Sequence, residues 1–314
     1  MFNRFVFGIM FTVLRGDDMR KFDISTDSTC DFYANEYTEH GVYVGKLNFT
    51  IEENNVLNEY LDDFKEYDEY VNFYNRLRKG GVAKTAILNL QAHIDLFTEM
   101  AEKGIKNALH ISQSKGLSPT IDNANKAIEI VKEQYPDINY IALESRTTTV
   151  AEGLLVKLAI KMRDNGFTAE ETAKYINDNK CKMQHYIVVD DLMYLKRGGR
   201  IGGVSAAVGT LLKIKPIIEF TNDGKLEIVR KEMGVKKAYR SIIDEAKKYA
   251  FNTEYPSFVI VHTDNEQGAK ELQTMIKENL GVEPEIRIMG PIIGAHVGPN
   301  AVAFAFLSTE KRPL

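Results

Sequence analysis

The chain has 314 residues, which suggests about two domains of ~100–200 residues each, and 44% of its residues are hydrophobic, enough to bury a sizeable core. A formal net charge of −4 gives no general attraction to nucleic acid or to an anionic membrane, so we expect no nucleic-acid partner and at most transient membrane contact. The two cysteines, Cys30 and Cys181, form neither a metal-binding cluster nor a disulfide framework, which favours a reducing cytoplasm.

The N-terminal segment differs from the rest of the chain. Residues 5–14 are apolar, but this stretch is too short to span a bilayer as a helix. Residues 15–18 offer no small-residue cleavage site of the kind that follows a signal peptide. We therefore expect residues 1–18 to be an extension or a misassigned start, with translation beginning at Met19. A membrane tether is the alternative interpretation.

Strands and helices alternate through the first half of the sequence. The apolar patterns predict strands at 22–25, 41–51, 82–87, 107–112 and 139–144. They predict helices at 60–78, 89–104, 120–134, 150–165 and 168–182. Because strands that alternate with helices of this length favour a parallel sheet, we expect an α/β domain with a mainly parallel sheet over residues 19–183.

The second half is expected to form another α/β domain, over residues 184–314, with a mixed sheet and helices. Strands are predicted at 186–189, 215–220, 226–230, 258–262, 285–289 and 301–307. Helices are predicted to start near 190 and to cover 205–212, 236–250 and 267–280. Asn222, Asp223 and Gly224 form a strong turn signal, which predicts a hairpin between the second and third of these strands.

Hydroxyl and carboxylate side chains follow several of the predicted strands. They are Thr26, Asp27, Ser28, Thr85, Ser112, Ser114, Ser118, Ser145 and Thr147. Any single one of them is more simply explained as a helix cap. Because ligands of open α/β sheets bind at the C-terminal ends of strands, several together can form a polar cup for the oxygens of an anion.

Residues 292–300 place one imidazole, His296, among glycines, a proline and apolar residues. A histidine in this setting can offer a ring N–H to an anion in an otherwise apolar place. The alternative is a core histidine beside a tight turn.

Residues 194–203 are rich in glycine and basic residues, including Lys196, Arg197 and Arg200. Guanidinium groups match the geometry of phosphate or carboxylate. A solvated helix C-terminus is the alternative, and it explains Lys196 and Arg197 better than Arg200. The segment lacks the spacing of a nucleotide-binding loop.

Five motifs in this order resemble the DegV family, which are bacterial fatty-acid-binding proteins that partner a fatty acid kinase. They are Ser-Thr-Asp-Ser-Thr at 25–29, Leu-Ser-Pro-Thr at 117–120, Tyr-Leu-Lys-Arg-Gly-Gly-Arg-Ile at 194–201, Lys-Pro-Ile at 215–217, and the Gly-Pro pairs at 290–291 and 298–299. The resemblance covers residues 20–308. It implies two α/β domains with a long-chain fatty acid buried between or within them.

The resemblance also implies roles for individual residues. The groups that hold the fatty-acid carboxylate are Thr85, Ser114 and His296, with Ser112 and Ser118 as alternatives to Ser114. Arg200 and Arg230 resemble the basic residues beside the exposed carboxyl group, where the kinase docks. No catalytic residue, metal ligand or cofactor is implied, because the bound fatty acid is itself the ligand.

The expected function is therefore a cytoplasmic carrier without catalysis of its own. It would present the carboxylate of a buried fatty acid to a fatty acid kinase, which makes the acyl phosphate for phospholipid metabolism. Two alternatives remain: a regulatory module that binds another small amphiphile, and a phosphotransferase or hydrolase that uses the same polar cup. The sequence contains no metal cluster, general-base pair or nucleotide loop that favours the enzyme.

Overall fold

A computed structural model describes residues 20–202 and 213–313 of the chain. The predicted extension at 1–18 and the predicted helix at 205–212 lie outside the described residues. No helix in the described part is both long and apolar enough to cross a membrane.

The strands, in chain order, are β1 (Asp23–Asp27), β2 (Val42–Gly45), β3 (Asn48–Glu53), β4 (Val56–Leu61), β5 (Val82–Thr85), β6 (Asn107–Ser112), β7 (Asn139–Glu144), β8 (Met183–Val188), β9 (Ile214–Phe220), β10 (Leu226–Met233), β11 (Phe258–His262), β12 (Glu285–Ile288) and β13 (Val302–Leu307). The helices are α1 (Ala34–His40), α2 (Tyr67–Arg78), α3 (Leu90–Glu102), α4 (Thr120–Gln134), α5 (Thr149–Asp164), α6 (Ala169–Asn179), α7 (Leu192–Arg197), α8 (Val235–Ala246), α9 (Glu266–Leu280) and α10 (Pro291–Val297).

The first sheet has the order β2-β1-β6-β7, and all of its strands are parallel. Parallel neighbours need crossover connections, which the intervening helices supply. The predicted α/β class with a parallel sheet is therefore confirmed. The strand ends at Asp27, Ser112 and Glu144 all lie at one edge, where polar residues begin the following loops.

Two predicted boundaries in this region are wrong. The strand predicted at 41–51 is two strands, β2 and β3, which belong to different sheets. The helix predicted at 60–78 begins only at Tyr67, because residues before it form β4, which pairs with β3 in a small antiparallel sheet of order β4-β3-β5. Asn54 and Asn55 make the β3–β4 turn with φ of 51° and 61°, values that asparagine tolerates well.

The second sheet has the order β10-β9-β8-β13-β11-β12 and is mixed, as predicted. β13 lies in the middle and runs antiparallel to both of its neighbours, while β11 and β12 are parallel. One face, which includes Ile187 and Ala303, joins a core that continues into the first sheet. The other face, which includes Ile217 and Phe304, packs against α8 and α9. The predicted division after residue 183 falls at the start of β8.

The short helix α10 was not anticipated from the sequence. Pro291 occupies its first turn, where a missing backbone N–H costs little, and Gly298 follows it with φ of 76°. The helix packs against α2, β3 and β5 and also against α7, so both halves of the chain hold it. A Cβ on Gly294 would lie 2.3 Å from the Tyr74 hydroxyl, so only glycine permits this approach to α2.

Candidate functional site

A cavity of about 280 Å³ lies beside α10, close to the lower end of the ~300–1,000 Å³ that is typical of ligand pockets. Both halves of the chain contribute to its walls. Its apolar lining includes Leu47, Ile187, Phe220, Leu226, Ile293 and Val297. Such a space fits a hydrocarbon, because apolar surface that leaves water here meets other apolar surface.

A larger cleft of about 590 Å³ is lined mainly by the first half of the chain, including Asp31, Lys46 and Asp62, and also by Ile288 and Gly290. It holds none of the residues predicted to contact the carboxylate or the kinase, although Ser28 of the predicted polar cup lines it, and it is mixed in polarity. We therefore take the smaller, mainly apolar cavity as the candidate site.

Thr85 and His296 meet at this cavity. Thr85 is the last residue of β5 and His296 lies in the last turn of α10, and Thr85 Oγ1 is 2.8 Å from His296 Nε2. Burial and, to a smaller extent, the nearby Arg200 charge lower the pKa of His296 to about 4. The imidazole is therefore neutral at pH 7, and with its proton on Nε2 it can donate to an anion.

Gly198 sets the position of this imidazole. A Cβ on Gly198 would lie 2.1 Å from His296 Nδ1, so the ring packs directly against the glycine backbone. Within the described residues Nδ1 is buried without a hydrogen-bond partner. The ring is thus held by close packing on one side and by Thr85 on the other.

All three predicted serines make internal hydrogen bonds, and two of them do so away from the cavity. Ser114 donates through Oγ to the Gly224 carbonyl at 2.7 Å, and Ser112 donates to Asp27 Oδ2 at 2.7 Å. Neither of these serines is among the residues that line the cavity. Both hydroxyls connect loops behind the cavity wall.

Ser118 does line the cavity, and its Oγ is 2.8 Å from Thr120 Oγ1. Hydroxyls of this kind rotate to suit a new partner. The structure therefore brings Ser118 to the same cavity as Thr85 and His296.

Two further polar residues of the cavity were missed in the sequence. Gln113 is 4% exposed and Thr148 is 3% exposed, and both line the cavity. They are close to each other because Ser114 N donates to the Thr147 carbonyl at 2.8 Å. Their positions just after β6 and β7 were the available signal, but only the fold shows which residues of each loop face the cavity.

Arg200 borders the cavity at the end that holds His296. Its Nε donates to the Leu117 carbonyl at 3.2 Å. An adjoining cavity of about 260 Å³ shares Thr85, Arg200 and His296 with the first and is also lined by Lys84 and Arg197. No acidic residue of the described part lines it, and residues 203–212 contain no Asp or Glu.

Arg230 lies elsewhere. Its guanidinium pairs with Glu245 of α8 and lies 3.7 Å from Glu219, on the sheet face that α8 covers. It is not among the residues that line either cavity. The structure therefore does not bring Arg230 together with Arg200.

Asp31 fixes the other end of α10. Its carboxylate accepts a hydrogen bond from Gly290 N at 3.0 Å and another from Thr149 Oγ1. Burial raises the pKa of Asp31 to about 7, although these hydrogen bonds and the Arg287 charge act in the opposite direction. Within the described residues no group of three or more His, Cys, Asp or Glu is placed to hold a metal ion.

The DegV family profile matches residues 21–309. A DegV domain-containing protein of Clostridium perfringens is 33% identical over 298 residues, covering 94% of this chain and all of the relative. A DegV lipid-binding protein of Thermotoga maritima is 27% identical with a TM-score of 0.80, covering 93% of this chain and all of that one.

A second Thermotoga maritima structure, described as revealing a fatty-acid-binding function, is 26% identical with a TM-score of 0.77. It covers 92% of this chain and 99% of its own. The profile match extends over most of the sequence, and the solved folds agree with both sheets described above. The chain belongs to the DegV family.

Proposed function

We propose that this protein binds a long-chain fatty acid in the cavity beside α10 and presents its carboxylate to a fatty acid kinase. The observation that carries the proposal is the Thr85–His296 pair at a cavity with apolar walls. The two Thermotoga maritima relatives, one lipid-binding and one fatty-acid-binding, support the same ligand class.

The acyl chain supplies most of the binding free energy. Burial of each methylene contributes ~0.8 kcal/mol, so a chain of sixteen carbons gains roughly 10 kcal/mol before the costs of ordering. Leu47, Phe220 and Ile293 are among the side chains that would receive it.

The carboxylate needs hydrogen-bond donors, because an unpaired buried charge is costly. We assign this role to Thr85 and His296. Of the three candidate serines, the proposal takes Ser118 because it lines the cavity. Ser114 then acts indirectly, by tying its loop to Gly224. The Gln113 amide is a further donor available at the wall.

The adjoining cavity of about 260 Å³, which holds Arg197 and Arg200, supports presentation of the carboxylate to a kinase. Lys84, Arg197 and Arg200 give it three cationic side chains, with no salt bridge to any of them among the described residues. Such a space would stabilise the negative charge that appears when a carboxylate is converted to an acyl phosphate. Arg230, with a side chain 34% exposed, is proposed to lie on an outer docking surface.

In this proposal the protein is a cytoplasmic, non-catalytic carrier. The kinase brings ATP, and the fatty acid is the only ligand that the carrier requires. A regulatory module for another amphiphile would use the same cavity, and a phosphotransferase or hydrolase would need a catalytic group in addition.

Lipid analysis tests the proposal directly. The purified protein is extracted with organic solvent, the extract is analysed by mass spectrometry, and the delipidated protein is titrated with palmitate. We expect a stoichiometric fatty acid, uptake of palmitate, and acyl phosphate formation when a bacterial fatty acid kinase and ATP are added. Absence of both lipid and uptake would refute the proposal. A different amphiphile would favour the regulatory module, and ATP or ester turnover by the isolated chain would favour the enzyme.

Replacement of Gly198 by alanine is expected to weaken palmitate binding at least tenfold. Gly198 has φ of −72°, so alanine fits the backbone, but its Cβ would displace the His296 ring and break the contact with Thr85. A hydrogen bond to a charged group contributes ~1.5–3 kcal/mol, which sets the size of the effect. Calorimetric titration of the delipidated proteins measures it.

Gly202→Ala is the matched control. A Cβ at Gly202 meets no atom of residues 20–202 or 213–313 within 4 Å, so this variant should bind palmitate like the wild type. Equal affinities for the two alanine variants would argue against a role for the imidazole in holding the head group.

A further inference from the structure

Thr148 occupies the N-cap position of α5, but its side chain does not cap the helix. It precedes α5 with extended backbone angles, φ −159° and ψ −178°, yet its side chain makes no capping hydrogen bond. A threonine at this position ordinarily accepts a hydrogen bond from an amide in the first turn of the helix. Its Oγ1 is buried with no partner among the described residues, while the residue lines the apolar cavity.

A buried hydroxyl without a partner is unfavourable, so buried polar atoms are nearly always hydrogen-bonded. The neighbouring Thr149 satisfies this rule through Asp31. For Thr148, a molecule bound in the cavity can supply the hydrogen-bond partner. Rotation about χ1 moves Oγ1 among three staggered positions without any movement of the backbone, so the hydroxyl can turn toward a partner in the cavity that the residue lines.

The position of Thr148 along the cavity follows from α10. Asp31 links Thr149, the next residue, to Gly290 at the N-terminal end of α10. His296 lies at the opposite end of the same helix. Seven helical residues span ~10 Å, so an acyl chain whose head group is held at His296 passes Thr148 near its middle.

We propose that Thr148 binds an oxygen substituent in the middle of the acyl chain, and that the cavity prefers hydroxylated long-chain fatty acids. The inference rests on the proposed function and names the substrate class within it. A mid-chain hydroxyl would donate to, or accept from, Thr148 Oγ1. A plain chain would place methylenes against the hydroxyl and leave it without a partner.

The test compares the affinities of the delipidated protein for stearic acid and for three hydroxystearic acids. Their hydroxyl groups lie beside the carboxyl group, at mid-chain and near the methyl end. We expect the mid-chain isomer to bind about fivefold more tightly than stearic acid, as one net hydrogen bond of about 1 kcal/mol implies. The other two isomers should bind no better than stearic acid.

Thr148→Val removes the hydroxyl at nearly constant shape and should abolish the preference, whereas Thr148→Ser should keep it. The proposal is overturned if the wild type binds stearic acid as tightly as the mid-chain isomer, because water would then be the hydrogen-bond partner of the Thr148 hydroxyl. A preference that survives in Thr148→Val overturns it as well. The wild-type comparison is decisive even if the valine variant fails to fold. Failure of the fatty-acid function itself is distinct, because no acid of the series would then bind.

Discussion

Replacement of Arg287 by methionine is expected to lower the free energy of unfolding by about 3–5 kcal/mol. Arg287 lies in β12 and is 4% exposed, and its guanidinium pairs with Glu36 of α1. It also donates to the Asp31 carbonyl at 3.0 Å. The substitution leaves a buried carboxylate without its main partner, and it removes a hydrogen bond between the two halves of the chain.

The double variant Arg287→Met with Glu36→Met should lose much less stability than Arg287→Met alone, because neither charge then remains buried. Urea unfolding followed by circular dichroism measures the free energies of unfolding of the wild type, the single variant and the double variant. Lys174→Met serves as a control, because the Lys174–Asp178 pair is exposed and should contribute little. A loss below about 1 kcal/mol for the single variant would show that the pair is dispensable.

Asp31→Asn is expected to change how stability depends on pH. Burial raises the pKa of Asp31 from its ordinary value of 3.8 to about 7 in the folded protein. The folded state therefore retains a proton that the unfolded chain releases above about pH 4. The contribution of Asp31 to stability is complete below that pH and is lost as the pH rises to about 7, by roughly 4 kcal/mol in all.

Asparagine mimics the protonated acid, and it suits the left-handed backbone of residue 31, where φ is 54°. The wild type should thus lose stability relative to Asp31→Asn between pH 4 and pH 7, and the difference should level off above that. Thermal unfolding at several pH values measures it. Asp137→Asn, at an exposed carboxylate, should show no such trend. A constant difference between wild type and Asp31→Asn would mean that Asp31 is ionised throughout.

Local sequence patterns were sufficient for the main architecture. The alternation of strands and helices predicted the parallel sheet, and the turn at Asn222–Gly224 predicted the hairpin of β9 and β10. Local patterns were insufficient where one apolar stretch contains two strands of different sheets, as in β2 and β3. The helix α10 was missed because its seven residues include Pro291 and Gly294 and depend on packing against both domains.

The site was predictable to a smaller degree. The resemblance to a family predicted Thr85 and His296 as site residues, and the fold brings their side chains within 2.8 Å of each other, while their role in binding stays a prediction. Sequence reasoning could not distinguish Ser114 from Ser118, because only the folded loop shows that Ser118 lines the cavity while Ser114 bonds to the Gly224 carbonyl. Thr148 was harder still to predict, because what distinguishes it is a missing capping hydrogen bond, which only the structure shows.

The central place of β13 in the second sheet has a consequence for biosynthesis. Without it, β10-β9-β8 and β11-β12 are two separate pieces, and β13 is translated after all of them. Because structural units generally fold as the chain is made, the second sheet cannot be complete until the ribosome has passed Leu307. The cavity beside α10, whose walls include Ile187 of β8 and Phe220 of β9, is therefore complete only once the last strand has been translated.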